Sequence, residues 1–182
     1  VTTYKKRKSY YQAKPNRFVK LSSKRTEPVC QHFGVCGGCK WQNMAYKHQL
    51  FYKEKEVLEN LKRIGKIEIA KTHTILGSEK IYFYRNKMEF SFSSSRWLTY
   101  EEIDSEKEID DKNALGFHIA GMWDKILDIK KCHLQEDPSN EIRNFIKEFA
   151  IKNEIPFFNL IVQDIILRTL ILRIASTGDI MI

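Results

Sequence analysis

No apolar run in this sequence approaches the ~20 residues that a membrane-crossing helix needs. The longest, residues 165–174, is interrupted by Arg168, Thr169 and Arg173. No charged-then-apolar leader with a small-residue cleavage site opens the chain, so secretion is not expected and the compartment is read as cytoplasmic. There is no internal repeat and no low-complexity tract. Cysteine is scarce, with four residues in 182, and in a reducing compartment such thiols bind metal or do chemistry rather than form disulfides. No strand is followed by a glycine-rich turn of the kind that holds a phosphate or a nucleoside. Acidic residues are missing altogether from residues 1–25.

That last absence exposes what is present. Residues 1–25 hold nine of the cations, Lys5, Lys6, Arg7, Lys8, Lys14, Arg17, Lys20, Lys24 and Arg25, so the net charge of +8 belongs to this segment. Tyr4, Tyr10, Tyr11 and Phe18 are interleaved with them. Cations neutralise phosphates and release counterions, while aromatic faces stack on unpaired bases. The segment therefore reads as a nucleic-acid contact, with a solvated basic tail as the plainer alternative. The hydrophobic content of 42% against 30% charged residues is otherwise that of an ordinary globular protein. The start at Val1 and the end within an apolar stretch, residues 179–182, lead to the expectation that the chain is a fragment.

Patterning predicts α+β: an antiparallel sheet with two covering helices and a metal-binding loop. Residues 1–22 suit one or two twisted strands, and residues 23–42 form a loop with Pro28, Gly34, Gly37 and Gly38. A helix is expected after Asn43 as N-cap, with Leu50, Val57, Leu58, Leu61 and Ile64 on its buried face and Gly65 as the stop. Residues 87–93 alternate Met88, Phe90 and Phe92 with polar positions, the period of a half-buried strand. Residues 100–113, with seven acids and two lysines, predict an exposed connection kept away from phosphates. Residues 114–119 and 123–131 are further strands about an Ala120-Gly121 turn. A second helix is capped by Asp137 with Pro138 at its first position, and buries Ile142, Phe145, Ile146 and Phe149. Residues 164–175, apolar on both faces, predict a central strand.

The cysteines are spaced C-x5-C-x2-C, from Cys30 through Cys36 to Cys39, with Cys132 following after 92 further residues. Structural zinc sites more often use two close pairs, whereas iron–sulfur sites commonly take several ligands from one loop and one from afar. Spacing thus favours iron–sulfur over zinc and leaves zinc open. Gly34, Gly37 and Gly38 would let the loop wrap the metal and aim backbone N–H groups at the sulfurs. Four thiols can close a cluster, which argues against an open-iron radical enzyme. His32 and His133, each beside a cysteine, are read as neighbours of the site rather than ligands.

The loop Cys30-Gln-His-Phe-Gly-Val-Cys-Gly-Gly-Cys-Lys-Trp-Gln42 resembles the cluster loop of the RNA uracil-5-methyltransferases, most nearly the bacterial 23S ribosomal RNA group. Tyr84-Arg-Asn-Lys-Met-Glu-Phe90, Leu115-Gly-Phe-His118 and Asp128-Ile-Lys-Lys-Cys132 are similar to further stretches of that family. The resemblance implies a 4Fe–4S cluster on Cys30, Cys36, Cys39 and Cys132. It implies that residues 1–22 are the last strands of a truncated TRAM-type β-barrel, and that residues 23–182 are most of a central cluster- and RNA-binding domain. A Rossmann-like domain with the S-adenosylmethionine site and the catalytic cysteine would lie beyond Ile182. RNA contacts implied are Arg85, Asn86, Lys87 and His118, joined by Lys5, Lys6, Arg7 and Lys8. The family's chemistry adds a cysteine thiolate to C6 of an extruded uracil so that C5 can accept a methyl group. With every cysteine here assigned to the cluster, the chain alone is expected to be inactive. The partner implied is 23S rRNA, bound by a monomer with no membrane contact. A transfer RNA enzyme of the same superfamily and a stand-alone zinc-binding RNA module are the alternatives. The acidic residues 100–113 depart from the family's shorter connection.

Overall fold

The computed structural model describes residues 1–105, 109, 111–161 and 166–182, without the side chains of Tyr100 and Glu101. Strand β1 (Thr2–Lys6) pairs antiparallel with β2 (Tyr11–Lys14) in a separate, exposed hairpin. Helix α1 spans Tyr46–Arg63. The remaining elements are β3 (Lys87–Ser93), the short α2 (Tyr100–Asp104), β4 (Ala114–His118), β5 (Ile126–Asp128), α3 (Ser139–Lys152), β6 (Thr169–Ile174) and β7 (Ile180–Met181). Five of the strands form one antiparallel sheet in the order β5-β4-β3-β6-β7.

Alternation puts Met88, Phe90 and Phe92 of β3, Leu115 of β4, and Leu170 and Leu172 of β6 on one face. Ile129, Cys132, Leu134, Ala150 and Phe157 close over them to make the core, and Cys36 and Cys39 pack against its edge. Gly116 is fixed by close approach, since a Cβ there would meet the Leu127 carbonyl at 2.1 Å. The cysteine loop and the core therefore share a boundary.

Antiparallel strands with few helices were expected, but several local expectations are overturned. Asn43 does not cap α1. Its carbonyl accepts from Thr26 N–H, and Ala45 N–H donates to the Lys24 carbonyl, so residues 43–45 are held extended against 24–26 and the cap falls at Ala45. The α1 stripe is not buried either, with Val57 57% and Ile64 79% exposed. Instead of covering the sheet, α1 leans on the segment 75–78. There Ser78 N–H donates to the Tyr46 hydroxyl at 2.7 Å and Ile75 N–H to Glu54 at 3.0 Å.

In α3 the axial rotation differs from expectation. Phe145 is 67% and Phe149 51% exposed, while Ser139, Asn140, Arg143 and Ala150 face inward with Ile142 and Ile146 partly covered. A buried arginine is what displaces the aromatics, because its guanidinium is tied to interior carbonyls. Pro138 occupies the capping position rather than the first turn, and Asp137 Oδ1 accepts from Asn140 N–H at 3.0 Å.

Strand β5 is shorter than the expected 123–131. Strand β6 has one open face, with Ile171 41% exposed, so it is not apolar-covered on both sides; residues 164 and 165 of that expectation lie outside the described residues. The acidic connection contains a helical turn, α2. Thr99 and Glu102 form a reciprocal cap, with Thr99 N–H donating to Glu102 and Glu102 N–H to Thr99 Oγ1. Arg96 adds a two-pronged pair to the same carboxylate at 2.7 and 3.1 Å. Residues 106–108 and 110 of that connection lie outside the described residues.

Candidate metal centre

The loop is built by its own backbone. Phe33 N–H donates to the Cys30 carbonyl at 3.0 Å and Cys36 N–H to the His32 carbonyl at 2.9 Å, turning the chain back on itself. Gln42 closes it, its Oε1 accepting from Cys30 N–H at 3.1 Å. The far side is pinned to the sheet: Cys36 bridges Ile119, and Gly37 N–H donates to the His118 carbonyl at 3.1 Å. A Cβ at residue 37 would lie 2.6 Å from that oxygen, so the approach requires glycine. Gly38 N–H points at Cys36 Sγ at 3.4 Å, as expected of a sulfur-binding loop, whereas Gly37 N–H serves the sheet and not a sulfur.

Cys132 arrives from the other direction, four residues past β5. Its N–H donates to Asn140 Oδ1 at 2.7 Å and its carbonyl accepts from Asn140 Nδ2 at 3.1 Å, so one side chain of α3 holds both backbone groups. The result is a single pocket lined by all four cysteines together with Phe33, Phe117, Ile129 and Leu134. None is in a disulfide. Free space between them is about 20 Å³, room for about one water, so a cluster would enter by spreading the thiol side chains. Among the described residues, no three His, Cys, Asp or Glu are arranged to hold a single metal ion.

Burial pushes the Cys36 and Cys132 thiols up, and the neighbouring cysteines push the same way. Opposing this, Gly38 N–H favours the Cys36 thiolate, while Leu134 N–H and Arg143 favour that of Cys132. The donor set, soft thiolates in an apolar pocket with N–H groups facing sulfur, fits an iron–sulfur cluster. His32 and His133 also line the pocket. His32 Nε2 is engaged by Lys130 N–H at 3.2 Å, and burial lowers the pKa of both rings.

Arg85 emerges beside the segment that follows Cys132, because Phe83 and Arg85 N–H donate to the His133 and Leu134 carbonyls at 2.9 and 2.8 Å. Its side chain is exposed and has no ion pair among the described residues. Asn86 is exposed too, its carbonyl taking Ile174 N–H. Lys87 is paired with Glu89 at 2.5 Å, which lowers the Glu89 pKa and leaves the lysine less free for a phosphate. His118 is exposed, with Nε2 3.4 Å from Ser91 Oγ. Lys5, Lys6, Arg7 and Lys8 stand exposed on the β1–β2 hairpin, Lys6 over the Tyr11 ring. Reasoning from sequence missed Asn140 and Arg143. It also missed the stacked surface where Lys24 covers Tyr52 and Phe51, and Lys53 covers Trp41. The excess of cations near those rings was the only trace of it in the sequence.

With this geometry in hand, comparison with known proteins is informative. An uncharacterized RNA methyltransferase of Bacteroides thetaiotaomicron is 50% identical over 178 residues, covering 98% of this chain and 39% of its own. One of Porphyromonas gingivalis is 44% identical over 187 residues, covering 100% of this chain and 40% of its own. This chain is similar to RNA methyltransferases. It spans about two-fifths of the length of these relatives. The crystal structure of Pyrococcus abyssi tRNA (uracil-54, C5)-methyltransferase in complex with S-adenosyl-L-homocysteine is similar in fold, with TM-score 0.60 and 26% identity. That match covers 90% of this chain and 32% of the other. No protein-family model matches the chain. No helix among the described residues is long and apolar enough to cross a membrane.

Proposed function

We propose that this chain is the cluster-holding, RNA-gripping part of an S-adenosylmethionine-dependent RNA uracil-C5 methyltransferase. The observation that carries the reading is the convergence of Cys30, Cys36, Cys39 and Cys132 on one pocket, from two loop segments separated by 92 residues. Those four would ligate a 4Fe–4S cluster. The cluster would supply a rigid covalent tie between the loop and the sheet, and no chemical step is assigned to it.

What the chain's own residues do follows from position. Backbone hydrogen bonds fix Gly37 against His118, and residues 83 and 85 against His133 and Leu134, so Arg85 and His118 are presented from a surface that the cluster would brace further. Arg85 fits a phosphate with two parallel N–H bonds or stacks on a base. The β1–β2 hairpin adds Lys5, Lys6, Arg7 and Lys8 as a salt-sensitive contact, and residues 1–22 are read as the end of a TRAM-type domain. The methyl donor site and the nucleophilic cysteine are assigned to sequence outside this chain, whose four cysteines are all committed. The chain alone is thus inactive.

The proposed substrate is 23S ribosomal RNA, supported by the C-x-H-F-G-x-C-G-G-C loop. A second reading, transfer RNA, is favoured by the solved tRNA (uracil-54, C5)-methyltransferase of similar fold. The deciding experiment uses the complete protein encoded by the gene, with labelled S-adenosylmethionine and both RNAs. Label in 5-methyluridine of 23S rRNA alone is expected. Label in tRNA alone would transfer the assignment, and label in neither would overturn the methyltransferase reading.

A further inference from the structure

Arg143 is 1% exposed, yet among the described residues no carboxylate lies within ion-pairing distance of it. Its Nε donates to the Ile129 carbonyl at 3.1 Å, one terminal nitrogen to the Lys130 carbonyl at 2.7 Å, and the other to Asn140 Oδ1 at 3.0 Å. The plane also rests on Phe90, 5.0 Å from the ring centre. A buried cation without an anion is costly, and carbonyl dipoles offset only part of that cost. Burial lowers the Arg143 pKa, and the neighbouring Cys132, Asp128 and Asp137 oppose it.

We propose that Arg143 is the counter-charge of the cysteine centre, and that with Asn140 it positions Cys132 as the remote ligand. A cluster on four thiolates carries net negative charge, and it would sit in an apolar pocket lined by Ile129, whose carbonyl this guanidinium holds. Arg143 holds the carbonyls of residues 129 and 130, and Asn140 holds both backbone groups of Cys132, so the two residues fix the whole delivering segment. The centre and the arginine thereby stabilise each other's buried charge. Neither residue touches substrate; both are positioning residues.

The inference rests on the cluster reading above, and the test separates the two. The full 182-residue chain is reconstituted anaerobically with iron and sulfide, as wild type, Arg143→Met, Arg143→Lys, Asn140→Ala and Asn140→Asp. Cluster loss to a chelator is followed by visible absorbance, and the unfolding temperature of each iron-free form is measured beside it. Arg143→Met is expected to lose its cluster about 10- to 100-fold faster than wild type, the usual effect of removing an outer-shell partner. Arg143→Lys, which keeps the charge but not the fork, should recover most of that loss although its iron-free form is destabilised as much as Arg143→Met. Asn140→Asp keeps the acceptor and adds a negative charge, so it should lose the cluster faster than Asn140→Ala. Equal rates for Lys and Met at residue 143 would overturn the counter-charge role. If Arg143→Met does not fold, the Asn140 pair decides, and slower loss from Asp than from Ala overturns it. Wild type that takes up no iron and sulfide defeats the cluster reading itself, and this inference with it.

Discussion

Gly37→Ala is the most informative single perturbation of the loop. An added Cβ would lie 2.6 Å from the His118 carbonyl oxygen and 3.3 Å from Ala120 N, both backbone atoms that cannot swing aside. Overpacking of this kind costs about 1–3 kcal/mol. Relieving it by withdrawing the loop breaks the 3.1 Å Gly37 N–H bond to His118, a loss of about 0.5–1.5 kcal/mol. Together these give about 1.5–4.5 kcal/mol, or roughly 3–18 °C in unfolding temperature for a chain of this size. The same withdrawal carries Cys36 and Cys39 away from Cys132. Gly38→Ala is the control, since its Cβ would meet only Cys36 Sγ at 3.5 Å, an ordinary contact. Thermal unfolding and anaerobic iron and sulfide uptake are measured on both variants. Gly37→Ala should fall in both assays, whereas Gly38→Ala should keep its unfolding temperature. A Gly37→Ala protein with wild-type stability and full uptake would refute the idea that the loop is clamped to the sheet at this point.

Other predictions test different parts of the account. Arg85→Ala should weaken RNA binding and lower the salt slope by about one, and an unchanged slope removes Arg85 from the phosphate contacts. Glu102, held at about 2 by Arg96 and the Thr99 cap, has a folded pKa below its ordinary value. Its contribution is thus complete above the ordinary glutamate range and is lost as pH falls from there through about 2. Glu102→Gln should therefore flatten the acid limb of stability against pH, and a wild-type-to-variant difference that does not change with pH would contradict this. Phe145→Ser should change stability by less than about 0.5 kcal/mol in chemical denaturation, as for an exposed site. A loss of about 3–5 kcal/mol would put Phe145 back in the core.

Legibility from sequence followed the strength of the local pattern. Strand β3 was readable to the residue because Met88, Phe90 and Phe92 alternate strictly with polar neighbours and the strand does bury one face. The nearness of Cys30, Cys36 and Cys39 was readable because they share one loop, with only Cys132 needing the fold to bring it in. Helix α1 was placed, but its burial was not, since periodicity reports an apolar stripe and not whether anything covers it. In α3 the stripe itself misled. Arginine is rarely buried, so an apolar stripe through Phe145 and Phe149 gives no sign of an inward Arg143. Nothing short of the carbonyls of residues 129 and 130 explains why the arginine wins. Thr99 and Glu102, by contrast, carry a capping-box pattern that was available in the sequence and went unused beneath the acidic charge.

The most direct test of the central claim is the metal content of the wild-type chain purified without oxygen. The account predicts brown protein with about four irons and four sulfides per chain, lost when Cys132 is replaced by serine. Colourless protein holding one zinc and no iron would contradict it.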